Sequence, residues 1–228
     1  VAPLAAREAG AEFVAVGFGP AYSPLEEDAE EVIDDLRTRG YGDDVIAKAR
    51  QVAAATAAVV ASGFQGGYEE LARVKRAYGG EPWFSEIEGE FTGGVLKTDE
   101  AELRASGRAT WDNLGLEWGH DAMAVLRTLD VPQLWVLGGS DEIMPPRLTL
   151  ERLAQLRAEG KPIQVAVFPG ADHQMLEFVV QPDGSRRYTR ATDGAYRLLG
   201  DWMKGCLAPP YGTATFDPPV TGAPAVCD

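Results

Sequence analysis

Two short apolar runs, each closed by a glycine-bearing turn that ends on an ionisable residue, constrain this chain more than any other feature. The first is Pro132-Gln-Leu-Trp-Val-Leu-Gly-Gly-Ser-Asp141. The second is Val165-Ala-Val-Phe-Pro-Gly-Ala-Asp-His173. Runs apolar at successive rather than alternate positions read as strands buried on both faces, the pattern of a parallel sheet covered by helices. Parallel strands deliver the residues that follow them to one edge of the sheet. In open α/β sheets that carboxyl edge is where ligands and reacting groups gather. The pattern therefore predicts an acid and a histidine at the same sheet edge.

The rest of the chain supplies helices for such a sheet. Residues 1–9 form helix and stop at Gly10, and Ala11–Phe18 reads as a buried strand. Ser23-Pro-Leu-Glu26 is a capping box with proline at the first helical position, which predicts a helix to about Arg39. Gly40-Tyr-Gly-Asp-Asp reads as a turn and a new cap, and Val45–Ala61 and Tyr68–Tyr78 as helices. Residues 85–118 are poorly patterned, with a short helix at Asp99–Ala105. Asp121–Leu129 and Arg147–Ala158 read as helices, Gln133–Leu137 and Lys161–Phe168 as strands, and Tyr188–Cys206 contains a final helix. Alternating strand and helix outside the insertion means a parallel sheet with right-handed crossovers. The expected organisation is an incomplete α/β core of residues 1–20 and 119–206, a helical insertion of 21–118, and an irregular tail of 207–228. Three strands make a poor sheet with a broad unpaired edge, so more sheet is expected from a preceding segment or a second chain.

Composition excludes more than it selects. The chain has 21 basic and 35 acidic residues, a net charge of −14, which repels nucleic acid and anionic membrane surfaces. The longest apolar stretch, Val52–Phe64, is mostly alanine and shorter than the roughly 20 residues of a membrane span. Cys206 and Cys227 are the two cysteines. A disulfide between them would pin the tail to the body and would suit an exported or periplasmic setting; two unrelated cytosolic thiols are the alternative.

His173 follows a strand, and its near-neutral intrinsic pKa suits a general base. Asp141, one turn beyond the neighbouring strand, is the preferred acid to accept from its Nδ1–H. Glu142 and Asp172 are rivals. Asp172 adjoins His173 along the chain, so its side chain should diverge from the imidazole, and Glu142 would need the loop turned by one residue. His120, the other histidine, reads as a residue at a helix start beside Asp121, a good N-cap. Two histidines without clustered cysteines give no metal site. Gly138-Gly139 lacks a nucleotide-binding pattern, and no cofactor is expected. The aromatic residues Phe64, Tyr68, Tyr78, Trp83, Phe84 and Phe91 read either as core of the insertion or as the lining of an apolar pocket.

These segments resemble a family. Residues 130–146 are similar to the strand-seven and acid-loop segment of α/β-hydrolases, and residues 161–175 to their strand-eight and histidine-loop segment. Phe18-Gly-Pro-Ala-Tyr-Ser-Pro-Leu-Glu-Glu27 resembles the strand-six exit and cap entrance of carboxylesterases related to prolyl-oligopeptidase-like hydrolases. Val1-Ala-Pro-Leu-Ala-Ala resembles the helix after their nucleophile elbow. The order acid then histidine fits the family's Ser…Asp…His order, whereas a Gly-x-Ser-x-Gly elbow is not among the 228 residues. The resemblance implies the C-terminal part of an α/β-hydrolase sheet with a helical cap. It implies Asp141 as triad acid, His173 as base, and a nucleophilic serine upstream of Val1. The implied activity is hydrolysis of small carboxylic esters through an acyl-enzyme, without a cofactor, with the cap shaping the acyl or alcohol pocket. A prolyl-oligopeptidase-type peptidase and a non-catalytic ligand-binding fragment are the alternatives.

Overall fold

The computed structural model describes residues 2–112, 115–217 and 225–226. It divides into two compact units, Val1–Tyr22 with Asp121–Asp228, and Ser23–His120. The first unit opens with helix α1 (Ala2–Ala9) and strand β1 (Val14–Gly17). β1 is shorter than the predicted strand of residues 11–18, because its parallel register with residues 133–136 covers only Val14–Gly17.

The second unit is helical. At the start of α2 (Pro24–Thr38) the capping box forms as predicted. Ser23 Oγ accepts from the Glu26 N–H, and the Glu26 carboxylate accepts from the Ser23 N–H at 2.9 Å. α3 (Asp43–Ala61) begins two residues earlier than predicted. Its N-cap is Gly42, without a side-chain bond, and Asp43 and Asp44 lie in the first turn, where the helix dipole favours negative charge. α4 (Tyr68–Tyr78) has the predicted bounds.

Where the sequence predicts one short helix in the poorly patterned stretch after residue 85, two form, α5 (Thr92–Lys97) and α6 (Glu100–Trp111). α6 has a local signal, Asp99 accepting from the Glu102 N–H. α5 has none, because its cap comes from another helix. The buried Asp28 carboxylate of α2 accepts from the Phe91 and Thr92 N–H groups at 2.8 and 3.0 Å and from the Thr92 hydroxyl. Sequence patterning cannot see a cap supplied from 64 residues away. Val52, Val59, Phe64, Leu71, Trp83, Phe91 and Leu103 fill the core of this unit. Phe64, Trp83 and Phe91 are thus core residues of the insertion, while Tyr78 and Phe84 are partly buried against it.

The first unit resumes with α7 (Ala122–Arg127), β2 (Gln133–Gly138), α8 (Pro146–Ala158) and β3 (Ile163–Phe168). β1, β2 and β3 are parallel neighbours in that order, with Val14 opposite Gln133 and Gln133 opposite Ile163. Every residue of β2 is buried, the polar Gln133 included, as the apolar run Leu134–Leu137 leads one to expect. Trp135 and Leu137 pack on one face with Ala6, Leu126 and Leu153. Leu134 and Val136 pack on the other with Leu198 and Trp202. Helices α1, α7 and α8 thus cover one face, and α9 (Ala195–Met203) the other.

Two features lie outside the predicted layout. An antiparallel hairpin, β4 (Leu176–Val180) with β5 (Arg186–Ala191), directly follows the histidine loop. Part of β5 lies within the stretch of residues 188–206 expected to contain the final helix, which forms as Ala195–Met203. The tail, expected to be irregular, contributes short strands β6 (Cys206–Leu207), β7 (Thr215–Phe216) and β8 (Ala225–Val226). β7 pairs antiparallel with β3 through Ala166–Phe216 and makes a fourth strand of the sheet. β6 pairs with β8, and Cys206 is not a free thiol. Cys227, its expected partner, lies outside the described residues. Among the described residues, no helix is long and apolar enough to cross a membrane.

Glu31 lies one helical turn beyond Asp28. Burial, then the nearby charges of Glu90, Asp28 and Glu27, push its carboxyl from 4.5 up to about 7. The folded state therefore keeps a proton that the unfolded chain releases. The stability this contributes is complete below about pH 4.5 and is lost as pH rises through about 7. Glu31→Gln replaces the proton-bearing form with a neutral isostere. We expect it to flatten the decline in Tm between about pH 5 and about pH 8 and to unfold above the wild-type Tm at the alkaline end. Thermal melts of both proteins with parallel pH profiles would contradict this.

Candidate active site

The end of β2 and the end of β3 are held together by backbone. The Gly139 N–H donates to Phe168 O at 2.8 Å and the Ser140 N–H to Ala171 O at 2.9 Å. The Ser140 hydroxyl donates to Pro169 O. This closeness explains the paired glycines. A Cβ on Gly138 would lie 2.4 Å from Asp172 O and 2.7 Å from Ala171 O, and one on Gly139 would lie 2.8 Å from Pro169 Cα. A larger residue at either position forces the two loops apart.

Asp141 and His173 meet across this junction. His173 Nδ1 is 2.9 Å from Asp141 Oδ2. Asp141 is 4 % exposed, and its other oxygen accepts from the Ile143 and Met144 N–H groups at 3.0 and 2.8 Å. A buried carboxylate with three donors is compensated for its lost hydration. Its acceptor character assigns the proton to Nδ1, which leaves Nε2 of a neutral imidazole with its lone pair free. Among the described residues Nε2 has no hydrogen-bond partner. The His173 side chain is 24 % exposed, so it is reachable from solvent.

The rival acids are engaged elsewhere. Asp172 accepts from the Gln174 and Leu176 N–H groups at 2.9 and 2.7 Å and so shapes the histidine turn. Glu142 points to Arg186 and pairs with it. His120 belongs to the other unit and sits 3.5 Å from the Glu117 carboxylate, while Asp121 caps α7 through the Ala124 N–H as expected. Among the described residues there is no cluster of three metal-ligating side chains.

Each of the six serine hydroxyls donates to a local acceptor. These are Glu26 for Ser23, Val59 for Ser62, Pro82 for Ser85, Glu102 for Ser106, Pro169 for Ser140 and Asp183 for Ser185. None is bonded to His173.

Sequence reasoning missed two neighbours of this pair. Phe18, at the exit of β1, presents its ring to the imidazole with centroids 6.2 Å apart and planes at 67°. Its φ of 60° is a left-handed conformation that non-glycine residues rarely adopt and that tends to mark sites under functional constraint. The exit of β1 thus places an aromatic ring beside the edge where Asp141 and His173 meet. The other neighbour, Arg186, comes from a hairpin with no predicted strand, and no local motif announces it. Comparison with known proteins supplies no relative: no family model, no curated protein and no solved structure matches the chain.

Two glycine substitutions separate close packing from mere glycine content. Gly138→Ala should cost about 1–3 kcal/mol, the usual range for overpacking, and should disturb the Asp141–His173 contact. Gly200→Ala, in α9 with open space around its Cβ, should be neutral or stabilise by up to about 0.5–1 kcal/mol. Urea unfolding of both variants checks this, and equal effects would refute the close-approach argument.

Proposed function

We propose that this chain carries the acid and base of a serine hydrolase that cleaves carboxylic esters. In this reading the sheet is the C-terminal part of an α/β-hydrolase sheet, and residues 23–120 are its helical insertion. The observation that carries the reading is the partly buried Asp141–His173 bond at the ends of two adjacent parallel strands, with Nε2 unused. Acid–imidazole pairs of this geometry serve to activate a hydroxyl, and the acid orients the ring and stabilises the imidazolium.

Because the six serine hydroxyls are committed locally, the nucleophile is assigned to a serine on a protein segment outside these 228 residues. That serine attacks the ester carbonyl while His173 Nε2 takes its proton. The tetrahedral intermediate collapses, and the imidazolium returns the proton to the departing alkoxide. A water molecule then gives a proton to Nε2 and its oxygen to the acyl carbon. The serine–acyl bond breaks, the carboxylic acid leaves, and the serine regains its proton. Asp141 remains ionised throughout and changes only the stability of the charged imidazole. No step needs a metal or organic cofactor.

The test is ester hydrolysis by the protein with its upstream segment present. His173→Ala should lower kcat by about 10²–10⁴-fold, the range for losing a general base, and should abolish labelling by a serine-reactive fluorophosphonate. His120→Ala should retain activity within about twofold, since it touches no reacting group in this mechanism. Equal losses in the two variants, or labelling indifferent to His173, would overturn the reading.

A further inference from the structure

The hairpin that follows His173 reaches back to the loop that carries Asp141. β4 is tied at its start to the histidine turn, since the Asp172 N–H donates to Leu176 O and the Leu176 N–H to the Asp172 carboxylate. From β5, Arg186 donates through one guanidinium nitrogen to Ser140 O at 2.8 Å and pairs through the other with the Glu142 carboxylate. These are the residues immediately before and after Asp141. The guanidinium lies 4.0 Å above the Phe178 ring of β4, and the Arg186 side chain is 18 % exposed. Arg190, on the same strand, pairs instead with Glu177 of β4.

We propose that Arg186 is a positioning residue, gripping both chain neighbours of Asp141 so that the Asp141 carboxylate stays on His173 Nδ1. The inference rests on the reading of Asp141 and His173 as an acid–base pair. The physical case is one of leverage. The acid loop is anchored on one side by the backbone bonds to residues 168–171. Its other side has Arg186. The Ile143 and Met144 N–H groups that hold Asp141 Oδ1 follow directly after Glu142, so a displaced Glu142 moves the donors that orient the carboxylate. A planar guanidinium can bond a carbonyl and a carboxylate at once while stacking on an aromatic face. A lysine ammonium has neither the fork nor the plane. The hairpin thereby links the base loop and the acid loop through a second route besides the sheet.

The imidazole itself reports the result. In the 228-residue chain, long-range proton–nitrogen NMR distinguishes the two His173 tautomers, with His120 as an internal reference. Wild type should show the Nδ1–H form. Asp141→Asn offers an amide N–H to the ring and should convert His173 to the Nε2–H form. Arg186→Met keeps an unbranched apolar stem but not the fork. It should shift the population in the same direction and speed exchange of the Nδ1 proton by about tenfold or more, as expected for local opening. Arg186→Lys should restore only part of the effect. Amide shifts in β2 and β3 verify that the sheet is intact. Should Arg186→Met fail to fold, Glu142→Gln removes one half of the grip at an exposed carboxylate and should give a smaller change of the same sign. A wild-type His173 signal in folded Arg186→Met, or in Glu142→Gln if that variant alone is available, overturns the role of Arg186. A wild-type signal in Asp141→Asn overturns the acid–base pair and this inference with it.

Discussion

The near-contact of two strand ends is the constraint on which the rest of the first unit depends. β2 and β3 are adjacent, parallel and in register from Gln133–Ile163 to Gly138–Phe168, so their exits emerge side by side. Glycine at 138 and 139 lets the two exit loops touch through backbone atoms rather than through side chains. Only then can a short aspartate on one loop reach an imidazole on the other at 2.9 Å. Alanine at either glycine would insert a methyl group where a carbonyl or Cα already stands. The helices on both faces matter because they bury β2 entirely, and a fully buried parallel strand has little freedom to shift register.

The helical unit shows the same dependence on a group supplied from a distance. Thr92-Gly-Gly-Val-Leu-Lys97 is weak helix sequence, since two glycines cost backbone entropy. α5 nevertheless forms, because Asp28 satisfies the N–H groups at its start. Burying that carboxylate raises its pKa, and the three hydrogen bonds from Phe91 and Thr92 oppose the rise. Glu31, a turn away, has an oxygen without a hydrogen-bond partner and titrates near neutrality. Its own burial is the main cause, and the charges of Glu90, Asp28 and Glu27 add to it.

The residues around the Asp141–His173 contact come from three places of very different legibility. Asp141 and His173 end apolar runs, so periodicity points at them directly. Asp172 was visible as a rival but not as the acceptor that shapes the histidine turn. That role depends on φ and ψ values of residues 174–176, including the left-handed Met175. Phe18 and Arg186 gave no signal. The first depends on a strained strand exit, and the second on a hairpin whose strands alternate poorly, with Arg, Tyr and Thr largely exposed on β5.

Local sequence determined the elements with strong internal grammar. These are the Ser23–Glu26 capping box, the bounds of α4, the two apolar strands, and the identity of the acid and the histidine that follow them. These features are encoded within a few residues of one another, where propensity, capping and apolar period act. Tertiary structure alone decided that β7 from the tail would extend the sheet, that α5 would be capped by Asp28, that Glu142 would turn to Arg186, and that Phe18 would face the imidazole. Each of these joins residues separated by tens of positions along the chain. Their energies depend on burial and on satisfying polar groups across elements, and neither quantity exists until the chain has folded.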